Sequence, residues 1–592
     1  PIFFINASYA RRFQPTSASD DNVLNQLVDV DADSRAIGEV LPRSVGRLRL
    51  GLDRVDGGVA GRGVQEVSAD GALVTPGFVD IHTHYDGQAT WSNRMSPSSH
   101  HGVTTVVMGN CGVGFAPVRR TDHDLLVELM EGVEDIPGVA LSEGLSWEWE
   151  SFPDYLDYLS KRQFDMDIGA QLPHAALRVY VMGRRGADRE PATAEDVAEM
   201  RRLTEQAIRA GALGFTSSRT LNHRSATGEP TPTLQAEYDE LVGMASALRT
   251  TGRGVMEMIS DFDDLDTEFD LLKSMVSTAG RPMSISLAQG ISDHGWRKVL
   301  NKIEGASDAG FAMRGQVAPR PIGILLGLTT TLSPFTTRPS FTEVAHLPLA
   351  ERIEALADPA RKARILAEPA GRGFMRLFRL MDEGRKIWLM SDPPNYEPDP
   401  KDSLHARAIA SDQDPWSLVY DMLVQNHGKA LLYTPFANYA ENNLDCCRDM
   451  ILHKDTVMGL GDGGAHVGTI CDASFITSLL THWGRDRSRG EGIDLPTLIK
   501  CQSADTARAV ELTDRGTLQV GMRADVNIID FDNLNVRLPE MVNDLPAGGA
   551  RLQQRADGYQ MTIVNGQPTY IDGEATDALP GRLVRKTTPD SH

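Results

Sequence analysis

An α/β barrel with a small β domain beside it is the architecture that the sequence predicts, and three observations predict it. From about residue 72 to 320, short apolar runs alternate with amphipathic stretches, a rhythm that signals parallel strands joined by crossover helices. Seven such runs precede a long Pro- and charge-rich interruption and one follows it, which makes the eight strands of a TIM-type (β/α)8 barrel. Near the C-terminus the pattern changes to short runs that read as antiparallel strands.

The runs justify the strands in order. GFVDIHTH (77–84) is apolar and ends in polar residues, and TTVVMGNCG (104–112) ends in a Gly-flanked Cys. DIGAQLPHAALR (167–178), GALGFTSS (211–218), GRGVMEMIS (252–260), PMSISLAQ (282–289) and FAMRGQVAPR (311–320) follow, and TVMGLGDGG (456–464) is the eighth. The helices between them are legible in detail. In TAEDVAEMRRLTEQAIRAG, Thr193 and Asp196 form a capping box, Val197, Met200, Leu203, Ala207 and Ile208 share one face, and Gly211 ends the helix. DTEFDLLKSMVSTAGRP repeats the design, with Phe269, Leu272 and Val276 inward and Gly280 as the stop. Residues of about 321 to 455 form an insertion between the last two barrel strands. GTLQVGMRADVNIIDFDNLNV (516–536) and MTIVNGQPTYIDG (561–573) are the antiparallel strands of a small β domain built by the two chain ends. The expected division is therefore 1–71 for the N-terminal part of that domain, 72–510 for the barrel, and 511–592 for the C-terminal part and tail.

Bulk properties narrow the functional classes. With 592 residues, 41% hydrophobic and 24% charged, the chain has the length and balance of a globular protein larger than one minimal domain. A formal charge of −22 argues against a nucleic-acid partner. No apolar run approaches the roughly 20 residues of a membrane helix, and the start, PIFFINASYARRF, is a poor signal peptide. Five cysteines, an odd number, do not make a disulfide framework. A cytoplasmic enzyme acting on a small molecule is expected, and a homo-oligomer is compatible with these properties.

Chemistry concentrates at strand ends. His82 and His84 close the first strand, and residues two apart on a strand point to the same side, so both imidazoles can converge on one ion. Asp462 follows the eighth strand among glycines, where a carboxylate can touch a metal and accept a proton from water; a turn aspartate is the plainer alternative. Cys111 ends the second strand between small residues, with room to face a cavity as a thiolate ligand or to serve as a buried apolar thiol.

At these residues the chain resembles the amidohydrolase superfamily, and within it the N-acyl-D-amino-acid deacylases (D-aminoacylases). The motifs that carry the resemblance are TPGFVDIHTHYDGQ, GVTTVVMGNCGVGFAP, LPHAALRVYVMG, GALGFTSSRT, LGDGGAH and RGTLQVGMRADVNIID, in the family's order and spread over about 75–530. The resemblance implies a distorted barrel, a β-sandwich flank and zinc-assisted amide hydrolysis. It makes His82 and His84 the paired first-strand ligands, Cys111 the bridging ligand and Asp462 the acid/base. The family's fifth- and sixth-strand histidines are missing: Glu257 stands at the first position, and Leu287 or Ala288, with Gln289 nearby, at the second. One zinc ion held by His82, His84 and Asp462 is therefore expected, with a second accommodated if Glu257 and Cys111 rebuild the other site. Residues 1–65 lack the family's opening strand pattern. For the substrate, His174, Arg178, Arg219 and His223 are the candidates, with Arg320 and Arg485 as further arginines for a carboxylate. The acidic run EGVED (131–135) reads as part of a lid or as a solvated loop.

The expected reaction is hydrolysis of an amide in an N-acyl (D-)amino acid or related small molecule by metal-activated water, with Asp462 shuttling the proton. Cleavage of a lactone, cyclic imide or carbamate would use the same apparatus, and a decarboxylase or isomerase on the same barrel is the alternative from another class.

Overall fold

The computed structural model describes residues 71–290, 295–369, 371, 381, 384–519 and 521–586, with residue 69 and strands at 25–32, 45–53 and 65–67. Eight parallel strands organise the described residues: Phe78–Thr83, Val103–Met108, Asp167–Ala170 continued by Leu172–Pro173, Gly214–Arg219, Val255–Ser260, Met283–Ser286, Met313–Val317 and Thr456–Met458. The first three pair side by side, and the third through eighth pair in chain order. The third belongs to both groups, because its first half pairs with the second strand and its second half with the fourth. The end of the first strand meets the loop after the eighth through a parallel bridge between Thr83 and Gly463. Strand interiors such as Phe78, Val79, Val106, Val107, Phe215 and Met256 are almost wholly buried, as expected of parallel strands covered by helices.

The helices follow their sequence signals. Helix Ala194–Ala210 has both halves of the Thr193–Asp196 capping box and ends at Gly211 in the left-handed region; Met200, Leu203, Ala207 and Ile208 are buried. Helix Leu265–Ala279 ends in the same way at Gly280 and buries Phe269, Leu272 and Val276. In the third run only the first half is strand, and the chain turns at Pro173 into helix His174–Met182.

Between the seventh and eighth strands the described residues form six short helices, Pro339–Ala345, Leu349–Leu356, Pro359–Ala367, Leu404–Ala410, Pro415–Leu423 and Asp445–Ile451. It also forms an antiparallel sheet of Ile322–Leu326, Leu432–Ala437 and Trp388–Leu389. This part has a core of its own, including Leu326, Phe335, Phe341, Leu356, Ile365, Tyr420 and Leu432.

Strand Leu73–Pro76 pairs antiparallel with Val526–Ile529, which continues through Tyr559–Val564 and Gln567–Ile571 into a five-stranded sheet. The expected boundary at residue 72 therefore falls ahead of a strand that joins the C-terminal sheet. Contrary to the reading of residues 1–65, strands Asn25–Ala32 and Val45–Asp53 form an antiparallel ladder. The C-terminal tail is bound as well: Gly581 bridges to Phe164, Leu583 bridges to Ile168, and Asp167 accepts from Arg582 N–H at 2.9 Å.

Candidate metal centre

The first parallel strand delivers Asp80, His82 and, one residue beyond its end, His84 to one side, all buried. The loop after the eighth strand is hydrogen-bonded directly to it: His82 O accepts from Asp462 N–H at 3.0 Å, and Gly463 O accepts from His84 N–H at 2.8 Å. That pairing brings together residues almost 380 positions apart in sequence. Asp462 sits at φ 45°, a conformation in which an Asp is less strained than bulkier residues. Its Oδ1 lies 3.2 Å from His82 Nε2 and 3.6 Å from His84 Nε2.

Cys111 arrives from the turn after the second strand, with its Sγ 3.3 Å from His82 Nε2. The turn runs Gly109, Asn110, Cys111, Gly112, and Cys111 itself has φ 54°. A Cβ on Gly109 would meet Gln171 O at 2.2 Å, and one on Gly112 would meet Ser217 Cα at 2.8 Å, so backbone packing demands glycine on both sides. The donor atoms of His82, His84 and Cys111 all lie within 4.8 Å of one another.

Supporting contacts orient these groups. Gln316, on the seventh strand, donates from Nε2 to Ser284 Oγ at 2.7 Å and places Oε1 2.7 Å from His82 Nδ1. His82 is thereby the Nδ1–H tautomer, with the Nε2 lone pair aimed at Cys111 and Asp462. Glu257 accepts from Cys111 N–H at 2.9 Å through Oε2 and from Ser286 Oγ at 3.3 Å through Oε1. One oxygen thus holds the cysteine turn and the other accepts from the sixth strand. Leu287 is buried with its side chain against Gly315. Gln289 is turned towards the insertion, accepting from Ala440 N–H at 3.0 Å and donating its backbone N–H to Asn438.

Burial dominates the electrostatics. It pushes the Cys111 thiol well up, with Glu257 and Asp462 adding to the effect, and it pushes His84 down to about 4. Burial opposes ionisation of Asp462 too, but the contacts with His84 and His82, and His466 further off, hold its carboxyl below the usual range. Burial lowers His82, yet the charges of Asp462 and Glu257 and the Gln316 contact outweigh it and leave it raised. A buried thiol, two imidazoles and an ionised carboxylate with converging donor atoms match the ligand chemistry of a divalent transition metal, zinc foremost. The fit is supported by Asp80 Oδ2, which is buried with no hydrogen-bond partner among the described residues.

Residues 65–570 match the model of the amidohydrolase family. The chain belongs to that family. This amidohydrolase is similar to an uncharacterised protein of Mycobacterium tuberculosis, 27% identical over 507 residues that cover 79% of this chain and 78% of the relative. A D-aminoacylase of Alcaligenes xylosoxydans is 35% identical over 151 residues, 26% of this chain and 28% of that one. The structure of an N-acyl-D-glutamate deacylase from Bordetella bronchiseptica, complexed with zinc and a phosphonate inhibitor, shares the fold. The two superpose with a TM-score of 0.56 at 19% identity, covering 91% of this chain and 94% of that one. Within its family this amidohydrolase is D-aminoacylase-like.

Not all the expected substrate residues gather at the centre of this amidohydrolase. His174 is buried, with its ring nitrogens on Ser217 Oγ and Glu240 Oε1, each at 2.8 Å. Arg178 is buried beside it, bonded to Glu240, Gly186 O, Pro232 O and Glu190 O. Both are satisfied inside the protein and offer a ligand nothing, which corrects the expectation that they bind substrate. Arg219 is paired with Glu268 at 2.6 Å and with Ala236 O, Arg320 is stacked 3.5 Å over the Tyr396 ring, and Arg485 is bonded to the backbone of Phe531, Asp532 and Leu534. His223 is the exception. Its Nδ1 is 2.9 Å from Ser218 Oγ, and its imidazole is pushed down to about 3, first by burial and then by the charges of His466 and His84.

Two residues escaped the sequence reading. His466 lies with Nε2 4.0 Å from Asp462 Oδ2, and the GDGGAH motif that contains it was the available signal. Glu134 is 1% exposed and stands 3.2 Å from His84. The EGVED run is therefore no solvated loop at this position: it ends helix His123–Glu134, whose apolar face carries Glu134 inward with Met130 and Val133. Among the described residues no helix is long and apolar enough to cross a membrane.

Proposed function

We propose that the chain is a metal-dependent amidohydrolase that cleaves the amide bond of an N-acyl amino acid, or of a closely related small molecule. The observation that carries this reading is the convergence of His82, His84, Cys111 and Asp462 from three separate strand ends. The eight strands are read as one distorted barrel and the sheet containing Leu73–Pro76 as part of a β-sandwich, so that the centre lies at the barrel's C-terminal mouth. The named D-aminoacylase, N-acyl-D-aspartate deacylase and N-acyl-D-glutamate deacylase relatives support the substrate class.

A divalent cation held by His82, His84 and Asp462, with Cys111 beside them, would supply activated water and polarise the scissile carbonyl. Asp462 does the proton work. Its Oδ1 faces the two histidines while Oδ2 points towards His466, so Oδ2 can take the proton of the attacking water and return it to the leaving nitrogen. His223 is read as the residue that meets the substrate. We read the centre as holding one ion, because Glu257 is occupied by the Cys111 turn and Leu287 cannot ligate.

Metal content per chain tests this reading. Elemental analysis of the native protein is expected to find about one zinc, lost in the His82→Ala/His84→Ala double variant. Two ions would show that Glu257 and Cys111 rebuild a second site, and no metal after reconstitution would overturn the proposal.

A further inference from the structure

His84 uses one ring nitrogen towards Asp462 and turns the other, Nδ1, to Glu134 Oε1 at 3.2 Å. Glu134 comes from the long excursion between the second and third parallel strands. Among the described residues neither of its oxygens has a hydrogen-bond partner of good geometry, and His84 Nδ1 also lacks one. A buried carboxylate and a buried imidazole nitrogen left facing each other are costly unless they pair.

The position of Glu134 is set by its backbone and not by His84. Its carbonyl accepts from His466 N–H. The next residue, Asp135, turns at φ 53°. Its carboxylate accepts from Gly468 N–H and from the hydroxyls of Thr469 and Thr331, each at 3.2 Å. This corner therefore ties the second-strand excursion to the loop that carries Asp462. The Glu134 side chain also stands 3.9 Å from His466 Nε2.

We propose that Glu134 is the positioning residue of His84: its carboxylate accepts the Nδ1 proton and holds the ring in the tautomer whose Nε2 lone pair faces Asp462 and the metal. The inference rests on the metal-dependent reading above. Gln316 is the counterpart on His82, with its Oε1 2.7 Å from that Nδ1. The two first-strand histidines are thus each braced from behind, one by an amide from the seventh strand and one by a carboxylate from the excursion. Outer partners of this kind orient a ligand and raise its basicity, and losing one typically weakens metal binding about 10–100-fold.

The test is Co²⁺ affinity of the metal-free protein by chelator competition, read together with the visible spectrum of the Co²⁺ form. Glu134→Met removes the acceptor at similar volume and is expected to weaken Co²⁺ binding about 10–100-fold and to shift the ligand-field bands. Glu134→Gln keeps an acceptor and is expected to bind more tightly than the Met variant. Wild-type affinity and spectrum in Glu134→Met would overturn the proposal, as would a folded Gln variant no tighter than Met. If the Met variant does not fold, Glu134→Asp carries the test. It keeps the charge but draws the acceptor back, and wild-type affinity in it would equally overturn the role. Failure of the wild-type protein itself to bind Co²⁺ would sink the metal-dependent reading, whereas normal wild-type binding with unaffected variants sinks the role of Glu134 alone.

Discussion

At the scale of single residues, Asp462 has the most demanding position. It is nearly buried and adopts a left-handed backbone conformation, and the His84, His82 and His466 imidazoles hold its carboxyl below the usual range against burial. Asp462→Asn keeps the shape and the loop hydrogen bonds but cannot take up a proton. The expected outcome is a folded protein with turnover lowered at least about 10²-fold, the lower range for general acid–base work, measured by amine release from N-acyl amino acids. Near-normal activity would remove Asp462 from its role as base. Glu257, at an expected ligand position, also has a structural task. Its carboxylate holds the backbone of the cysteine turn, which a histidine at that position would not do in the same way.

At the scale of elements, the centre depends on strands whose ends are pinned by turns and on helices whose ends are pinned by caps. Helix Ala194–Ala210 covers the outside of the strands with a face of Met200, Leu203, Ala207 and Ile208. Its first turn is held by Thr193 Oγ1 accepting from Asp196 N–H at 3.2 Å and by the reciprocal bond at 2.9 Å. Thr193→Ala removes one of these bonds and is expected to destabilise the protein by about 1 kcal/mol, seen as a lower urea midpoint with metal content unchanged. An unmoved midpoint would mean that water replaces the cap at no cost. The third strand illustrates the opposite case. Leu172–Pro173 continues the strand and His174 begins a helix at once, because Pro173 has no N–H to extend a ladder but is compatible with a helix start.

At the scale of the whole molecule, the C-terminal segment and the parallel strands are joined through buried polar contacts. Arg515 donates to Asp167 Oδ2 and Thr105 Oγ1, each at 2.8 Å. His101 is wholly buried between Thr477 Oγ1 at 2.8 Å and Gln554 O at 2.9 Å. Burial, with the nearby His100, pushes its imidazole from 6.5 down to about 3. The folded protein therefore keeps this ring neutral in acid, whereas the unfolded chain protonates it below about 6.5. The unfolded state binds more protons at this ring across that window, so the ring's contribution to stability falls as pH drops from about 6.5 towards 3, by up to about 1.4 kcal/mol per pH unit. Between pH 7 and pH 5, the urea midpoint of His101→Gln should shift less towards instability than that of the native protein. An unchanged slope in that variant would assign the acid sensitivity to other groups.

What the sequence by itself determined is local in origin. Strand runs, capping boxes and glycine stops are read within a few residues, and His82 and His84 share a side because a strand alternates. The Gly-flanked settings of Cys111 and Asp462 marked them for the same reason. The tertiary structure alone decided which distant groups meet. Glu134 reaches His84 across about 50 residues, and its acidic neighbours in EGVED disguised it as surface. Gln316 reaches His82 across 234 positions, and nothing in MRGQV marks it as a brace. His174 and Arg178 failed as substrate residues for the matching reason. Their residue types suggested chemistry, but Glu240, on the helix Tyr238–Thr251, claims both. Periodicity places a side chain on a face of its own element, whereas the partner that satisfies its charge and hydrogen bonds is set by packing between elements.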